Sequence, residues 1–115
     1  MHELSIAGAV LDSVRRETEL RPGTRMRKVG LVVGELSGVD SDSLRFCLEA
    51  LVRDTEFADV SLEISPSPRR HQCCHCGETF TVADYQTVCP ARASCETDCI
   101  SGTELQLSFV ELEEQ

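Results

Sequence analysis

Six of the seven cysteines in this 115-residue chain fall between positions 73 and 99. They read Cys73-Cys74-His75-Cys76, then Cys89-Pro90-Ala91-Arg92-Ala93-Ser94-Cys95, then Cys99. Thiols this dense force the chain repeatedly through one small region, as a tetrahedral metal centre or as a disulfide staple. An odd number of cysteines leaves one unpaired in any disulfide framework. Residues 1–20 carry Glu3, Asp12, Arg15, Arg16 and Glu17 and no continuous apolar run, so neither a signal peptide nor a membrane-spanning helix is expected. A cytoplasmic chain keeps its thiols reduced, which favours a metal.

Within the cluster, Cys73 and Cys76 are spaced to turn both sulfurs toward one point, and Gly77 can adopt the backbone angles that follow such a knuckle. Cys89 supplies a third thiolate after an excursion long enough for a hairpin. A zinc ribbon would place its fourth ligand at position 92, but Arg92 stands there and a permanent cation does not coordinate. Cys95 is the first choice to replace it, with Cys99 and His75 as alternatives, while Cys74 is expected to point outward. From His71 to Ile100 the larger apolar residues are Phe80, Val82, Tyr85 and Val88, too few to fold the piece without a metal.

The flanking sequence has ordinary periodicity. Leu4, Ala7, Val10, Leu11 and Val14 form one stripe of a helix over 4–19, which Arg21-Pro22-Gly23 should stop. Val29, Leu31 and Val33 mark a strand within 25–35. Asp40 or Ser41 can cap a second helix striped by Leu44, Cys47, Leu48, Leu51 and Val52, where Cys47 is a small core residue. Val60, Leu62 and Ile64 alternate as a second strand, and Leu105, Leu107 and Phe109 as a last one after Gly102. Ser65 to Arg70 has the proline content of a short, semi-rigid linker. The expected fold is α/β (α+β): two helices on one face of a three-stranded sheet, with an inserted zinc-ribbon-like module. The first domain would comprise 1–66 plus 101–115, and the zinc-binding domain 67–100. Because the module is inserted between strands that must pair, exchange of modules between two copies, giving a homodimer, is open to this chain.

The formal net charge of −9 opposes a phosphate backbone, and the module's only basic side chains besides histidine are Arg69, Arg70 and Arg92, so no nucleic-acid partner is expected. A zinc-ribbon interaction module binding protein or nucleic acid is the alternative function. A thioredoxin-like use of Cys73 and Cys76 lacks the βαβ context that such sites require. No nucleophile with a partnered base and no phosphate-cradling glycine loop is written in the chain, so it is not expected to be an enzyme.

The amino terminus carries a second candidate metal site. The terminal amine, the His2 amide nitrogen and the His2 imidazole can close adjacent chelate rings around a metal that favours nitrogen in a plane, which describes nickel(II) or copper(II). Met1-His2-Glu3-Leu4-Ser5-Ile6, Val33-Gly34-Glu35-Leu36-Ser37-Gly38-Val39 followed by Leu44-Arg45-Phe46, the cysteine module, and Gly102-Thr103-Glu104-Leu105 together resemble the HypA/HybF family of hydrogenase nickel-incorporation proteins. The resemblance runs in order along essentially the whole chain. It implies a nickel metallochaperone that works with a HypB-type GTPase and serves the large subunit of a nickel-iron hydrogenase. It also implies a nickel site at His2 and Glu3, with Asp40 nearby, and a separate structural zinc site, for which the spacing offers Cys73, Cys76, Cys89 and, as the compensating fourth ligand, Cys95. The family's second knuckle is usually Cys-Pro-x-Cys-Gly, so Arg92 and Ala93 stand where its final Cys-Gly would be.

Overall fold

The computed structural model describes residues 3–91, 93, 94 and 96–115. Helix α1, Glu3–Glu19, buries Ala7, Leu11 and Val14, the apolar stripe of its 3.6-residue period. It ends before Pro22, and Gly23, at φ +84°, reverses the chain into strand β1, Thr24–Gly34. Helix α2, Ser41–Val52, is capped by Asp40, whose carboxylate accepts the Asp42 amide at 3.0 Å and the Ser43 amide at 3.4 Å. Strand β2, Ser61–Ser67, runs parallel to β1, and the last strand, β6, Leu105–Glu114, runs antiparallel to it. The sheet order is β2-β1-β6.

Alternation along these strands directs Met26, Val29, Leu31 and Val33 to the helices, where they meet Leu44, Leu48 and Phe57 in one core. Cys47 packs partly buried against that core, as its place on the stripe requires. On the opposite face, the Phe109 ring covers Gly30, and a β-carbon there would collide with it. Two helices and three strands thus form the expected two-layer domain.

Between β2 and β6 the chain builds a second antiparallel sheet from β3, Arg70–Cys73, β4, Thr79–Thr81, and β5, Thr97–Ser101, in the order β4-β3-β5. Its interior is small: among the described residues His71, Cys73, Val82 and Cys89 are buried, while Tyr85 and Val88 lie in solvent. The linker expected over 65–70 is shorter than its prolines suggest. Pro66 sits within edge strand β2 opposite Val33, where a missing amide hydrogen disturbs no further strand.

The sheets meet at a tight junction. The Glu35 amide donates to Ser67 O at 2.9 Å, the Gly34 amide to Glu104 O at 2.6 Å and the Leu36 amide to Gly102 O at 2.6 Å. The Glu104 carboxylate accepts the Ser67 hydroxyl at 2.7 Å and the Gly102 amide at 2.5 Å, and Glu35 accepts the Arg69 amide at 3.0 Å. A β-carbon on Gly34 would strike the carbonyl of Gly102, and one on Gly102, at φ +111°, would strike the Arg69 backbone. The α1-to-β1 reversal sets the start of α1 beside the end of β1, and Ile6 lines one groove with Leu105 and Leu107. Glu3, the Asp40 cap and the junction therefore share one end of the first sheet.

Candidate metal centre

Two knuckles of the inserted sheet carry the site, and their backbones are built alike. In the first, the Cys73 amide donates to Glu78 O at 2.9 Å and the Gly77 amide to Cys73 O at 3.0 Å. In the second, the Cys89 amide donates to Ser94 O at 2.9 Å and the Ala93 amide to Cys89 O at 2.7 Å. Gly77 takes φ +74° and its counterpart Ala93 takes φ +53°. The second knuckle thus keeps its turn with alanine in the glycine's conformation, and Arg92 holds the sequence position that Cys76 holds in the first.

The turns converge three sulfurs. The Sγ atoms of Cys73, Cys76 and Cys89 all lie within 4.8 Å of one another, with Cys76 and Cys89 at 3.7 Å. Zinc–sulfur bonds of about 2.3 Å at tetrahedral angles set sulfurs about 3.8 Å apart, so this donor set fits zinc. Cys73 and Cys89 are buried and Cys76 is exposed. The Cys76 and then the His75 amides, aimed at the Cys73 sulfur, lower its pKa below the ordinary thiol value. Cys76 accepts the Glu78 amide, which favours its thiolate, but desolvation and the adjoining Cys73 and Cys89 sulfurs outweigh this and raise it. The three sulfurs are close enough to perturb one another, and a metal bound among them would displace their protons.

The other thiols and His75 are engaged elsewhere. The exposed Cys74 thiol donates to Asp98 Oδ2 at 3.5 Å, and that carboxylate raises its pKa. Cys99, also exposed, donates to Ser101 O at 3.2 Å. His75 Nε2 lies 3.2 Å from Glu96 Oε2. None of these joins the three-sulfur group among the described residues. Cys95 and His2 lie outside the described residues. Glu3 is the first residue of α1, half-buried in its first turn, and Asp40 is committed to capping α2.

Sequence reasoning missed His71, which props the site from beneath. It is 5 % exposed, and both ring nitrogens are used. Thr97 Oγ1 donates to Thr87 O at 2.7 Å, so it accepts from His71 Nδ1–H at 3.0 Å, while Nε2 accepts Arg69 Nε–H at 3.1 Å. This fixes the neutral Nδ1–H tautomer and ties the β3 strand leading to Cys73 to the loop leading to Cys89. A histidine alternating with Cys73 along a strand was the available signal.

A two-layer α+β domain carrying an inserted, cysteine-built metal module defines the class. Residues 1–112 match the family model described as hydrogenase/urease nickel incorporation, metallochaperone, hypA. Hydrogenase maturation factor HypA of Prosthecochloris aestuarii is 37% identical over 113 residues, covering 98% of this chain and 100% of the relative. Its namesake in Geobacter metallireducens is also 37% identical over 113 residues, with the same coverage of both chains. Among solved structures, the solution structure of a HypA protein superposes with TM-score 0.74 at 21% identity, covering 100% of this chain and 98% of that one. The Ni metallochaperone HypA from Helicobacter pylori superposes with TM-score 0.67 at 20% identity, over 100% of both chains. The chain belongs to the HypA family of hydrogenase/urease nickel-incorporation metallochaperones.

Proposed function

We propose that this chain carries nickel(II) to a nickel-iron hydrogenase during maturation of its large subunit, in cooperation with a HypB-type GTPase in the cytoplasm. The observation that carries the proposal is the match to the nickel-incorporation family from end to end. Nickel is cargo, held by the terminal amine, the His2 amide and imidazole, and Glu3, the last of which begins α1. Planar nitrogen donors suit nickel(II), and a competing ligand set can displace them. Release proceeds by ligand exchange, without bond-making chemistry in this chain, so it is a carrier and not an enzyme.

The cysteine module binds zinc, which holds a nearly coreless piece folded. Cys73, Cys76 and Cys89 supply three ligands and Cys95 the fourth. The Cys89–Ser94 hydrogen bond supports this choice, because it returns the chain to Cys89 one residue before Cys95. Titrating nickel into the zinc-loaded protein tests the first part. His2→Ala should abolish nickel binding and leave zinc content and helicity unchanged; undiminished nickel affinity would refute the assignment. X-ray absorption of the zinc protein tests the second. Cys95→Ser should lower the sulfur count from four to three; four sulfurs retained would shift the fourth ligand to Cys99, and three sulfurs with one nitrogen before and after the substitution would shift it to His75.

A further inference from the structure

A cleft at the junction is left unused by either metal site. Leu36, at the end of β1, and Val82 and Tyr85, from the inserted module, line it, with Glu35, Asp84 and Arg69 around its rim. Its volume is about 290 Å³. Val82 forms a buried floor, while Leu36 is 42% and Tyr85 88% exposed.

Tyr85 is held there against its own backbone preference. Asp84 and Tyr85 take φ +53° and +61°, and the Gln86 amide donates to Ala83 O at 3.0 Å. Two successive residues at positive φ closed by that bond make a type I′ turn, which strongly favours Asn-Gly. Aspartate tolerates the left-handed region, but a bulky aromatic there is an outlier whose strain points toward function. The ring is 88% exposed, so burial within the fold does not account for it. An exposed, rotamer-poor aromatic beside a partly exposed leucine has the character of an interface anchor.

The rim identifies what it meets. Arg69 Nε donates to His71, so that edge of the guanidinium is turned into the module, and its own amide is held by Glu35. Glu35 and Asp84 are exposed carboxylates in a chain of net charge −9. Such a surface complements a segment carrying an apolar side chain flanked by lysine or arginine. The cleft joins both parts of the chain, at the end of the sheet where α1 begins with Glu3.

We propose that the Leu36–Val82–Tyr85 cleft is the docking site for the protein that accepts the nickel, through an apolar segment with cationic flanks. This rests on the nickel-delivery reading above, and the acceptor is taken to be the precursor of the hydrogenase large subunit. Calorimetry with that purified precursor and zinc-loaded full-length variants tests it. Tyr85→Gly suits the turn better, so it should unfold at an equal or higher temperature and bind nickel as before, yet bind the precursor at least about tenfold more weakly. Tyr85→Phe should bind like the unaltered chain, and Asp84→Asn should bind more weakly with a shallower salt dependence. Full precursor affinity in Tyr85→Gly would overturn the docking site while leaving nickel delivery standing. Failure of the unaltered chain to bind the precursor would instead overturn the acceptor reading, and this occupant with it. Loss of binding only to the GTPase in Tyr85→Gly would also refute the stated occupant.

Discussion

At the scale of single residues, the two knuckles show how far a local structure survives a change in its chemistry. Gly77 and Ala93 close equivalent turns, but only glycine does so without a β-carbon meeting the carbonyl that follows it. Alanine at φ +53° costs about 1 kcal/mol relative to glycine, so Ala93→Gly should raise the midpoint of the module's denaturant unfolding by a stabilisation of that order. An unchanged or lower midpoint would mean that the turn is held by something other than its own hydrogen bonds. His71 predicts the opposite sign. Replacing it by leucine leaves the half-buried Thr97 hydroxyl without its donor and frees the Arg69 guanidinium, and losing these two partly buried hydrogen bonds costs about 1–3 kcal/mol. Thermal unfolding of His71→Leu should show that loss in the module and leave the first domain's transition in place.

At the scale of elements, the junction converts two short motifs into a mechanical part. Gly34-Glu35-Leu36 and Gly102-Thr103-Glu104 are far apart in sequence, and their glycines are needed because each backbone lies against another backbone, which cannot give way as a side chain can. Gly102→Ala adds both a clash with Arg69 and a strained φ, so it should destabilise the chain by roughly 2–4 kcal/mol, checked by urea unfolding. The Ser67 hydroxyl, followed by the amides around Gly102, holds the Glu104 pKa below the ordinary carboxylate value. A lowered folded pKa means that its contribution is fully present above the unfolded-state value and is lost as pH falls through the folded one. Glu104→Gln should therefore flatten that part of the acid limb of a stability-versus-pH curve, while the effect of Glu113, lowered by Arg25 and then Arg27, remains. Periodicity made both helices and the first sheet legible, because their apolar stripes face one core. It did not reveal β4 and β5, whose residues Thr79–Thr81 and Thr97–Ser101 answer to the knuckles more than to a buried face. Cys73, Cys76 and Cys89 were legible as a donor group because ligand chemistry restricts residue type and spacing together. The junction was not, since hydrogen bonds between distant backbones leave no pattern beyond a glycine.

At the scale of the whole molecule, the chain extends over 55 × 26 × 16 Å, with two sheets that differ in what holds them. The first encloses ten buried apolar residues between helices and strands, enough for an independent core. The second has Val82, His71 and two of the sulfurs as its interior, so on the zinc-binding reading proposed above its folding free energy comes largely from the metal. Removing the metal should accordingly split the molecule. Incubation with a strong chelator under reducing conditions should abolish amide-exchange protection over Arg70–Cys73, Thr79–Thr81 and Thr97–Ser101. Helices α1 and α2 and strand β1 should keep theirs, so far-ultraviolet circular dichroism should retain its helical signal. Because β6 follows the module and pairs with β1, its first residues carry the coupling: Leu105 opposite Val33 should lose protection before Leu112 opposite Met26. Re-addition of zinc should restore the module's protection. Uniform loss of protection throughout the chain would show that the first domain depends on the metal through the junction, whereas an unaffected module would show that its hydrogen bonds and small core suffice without one.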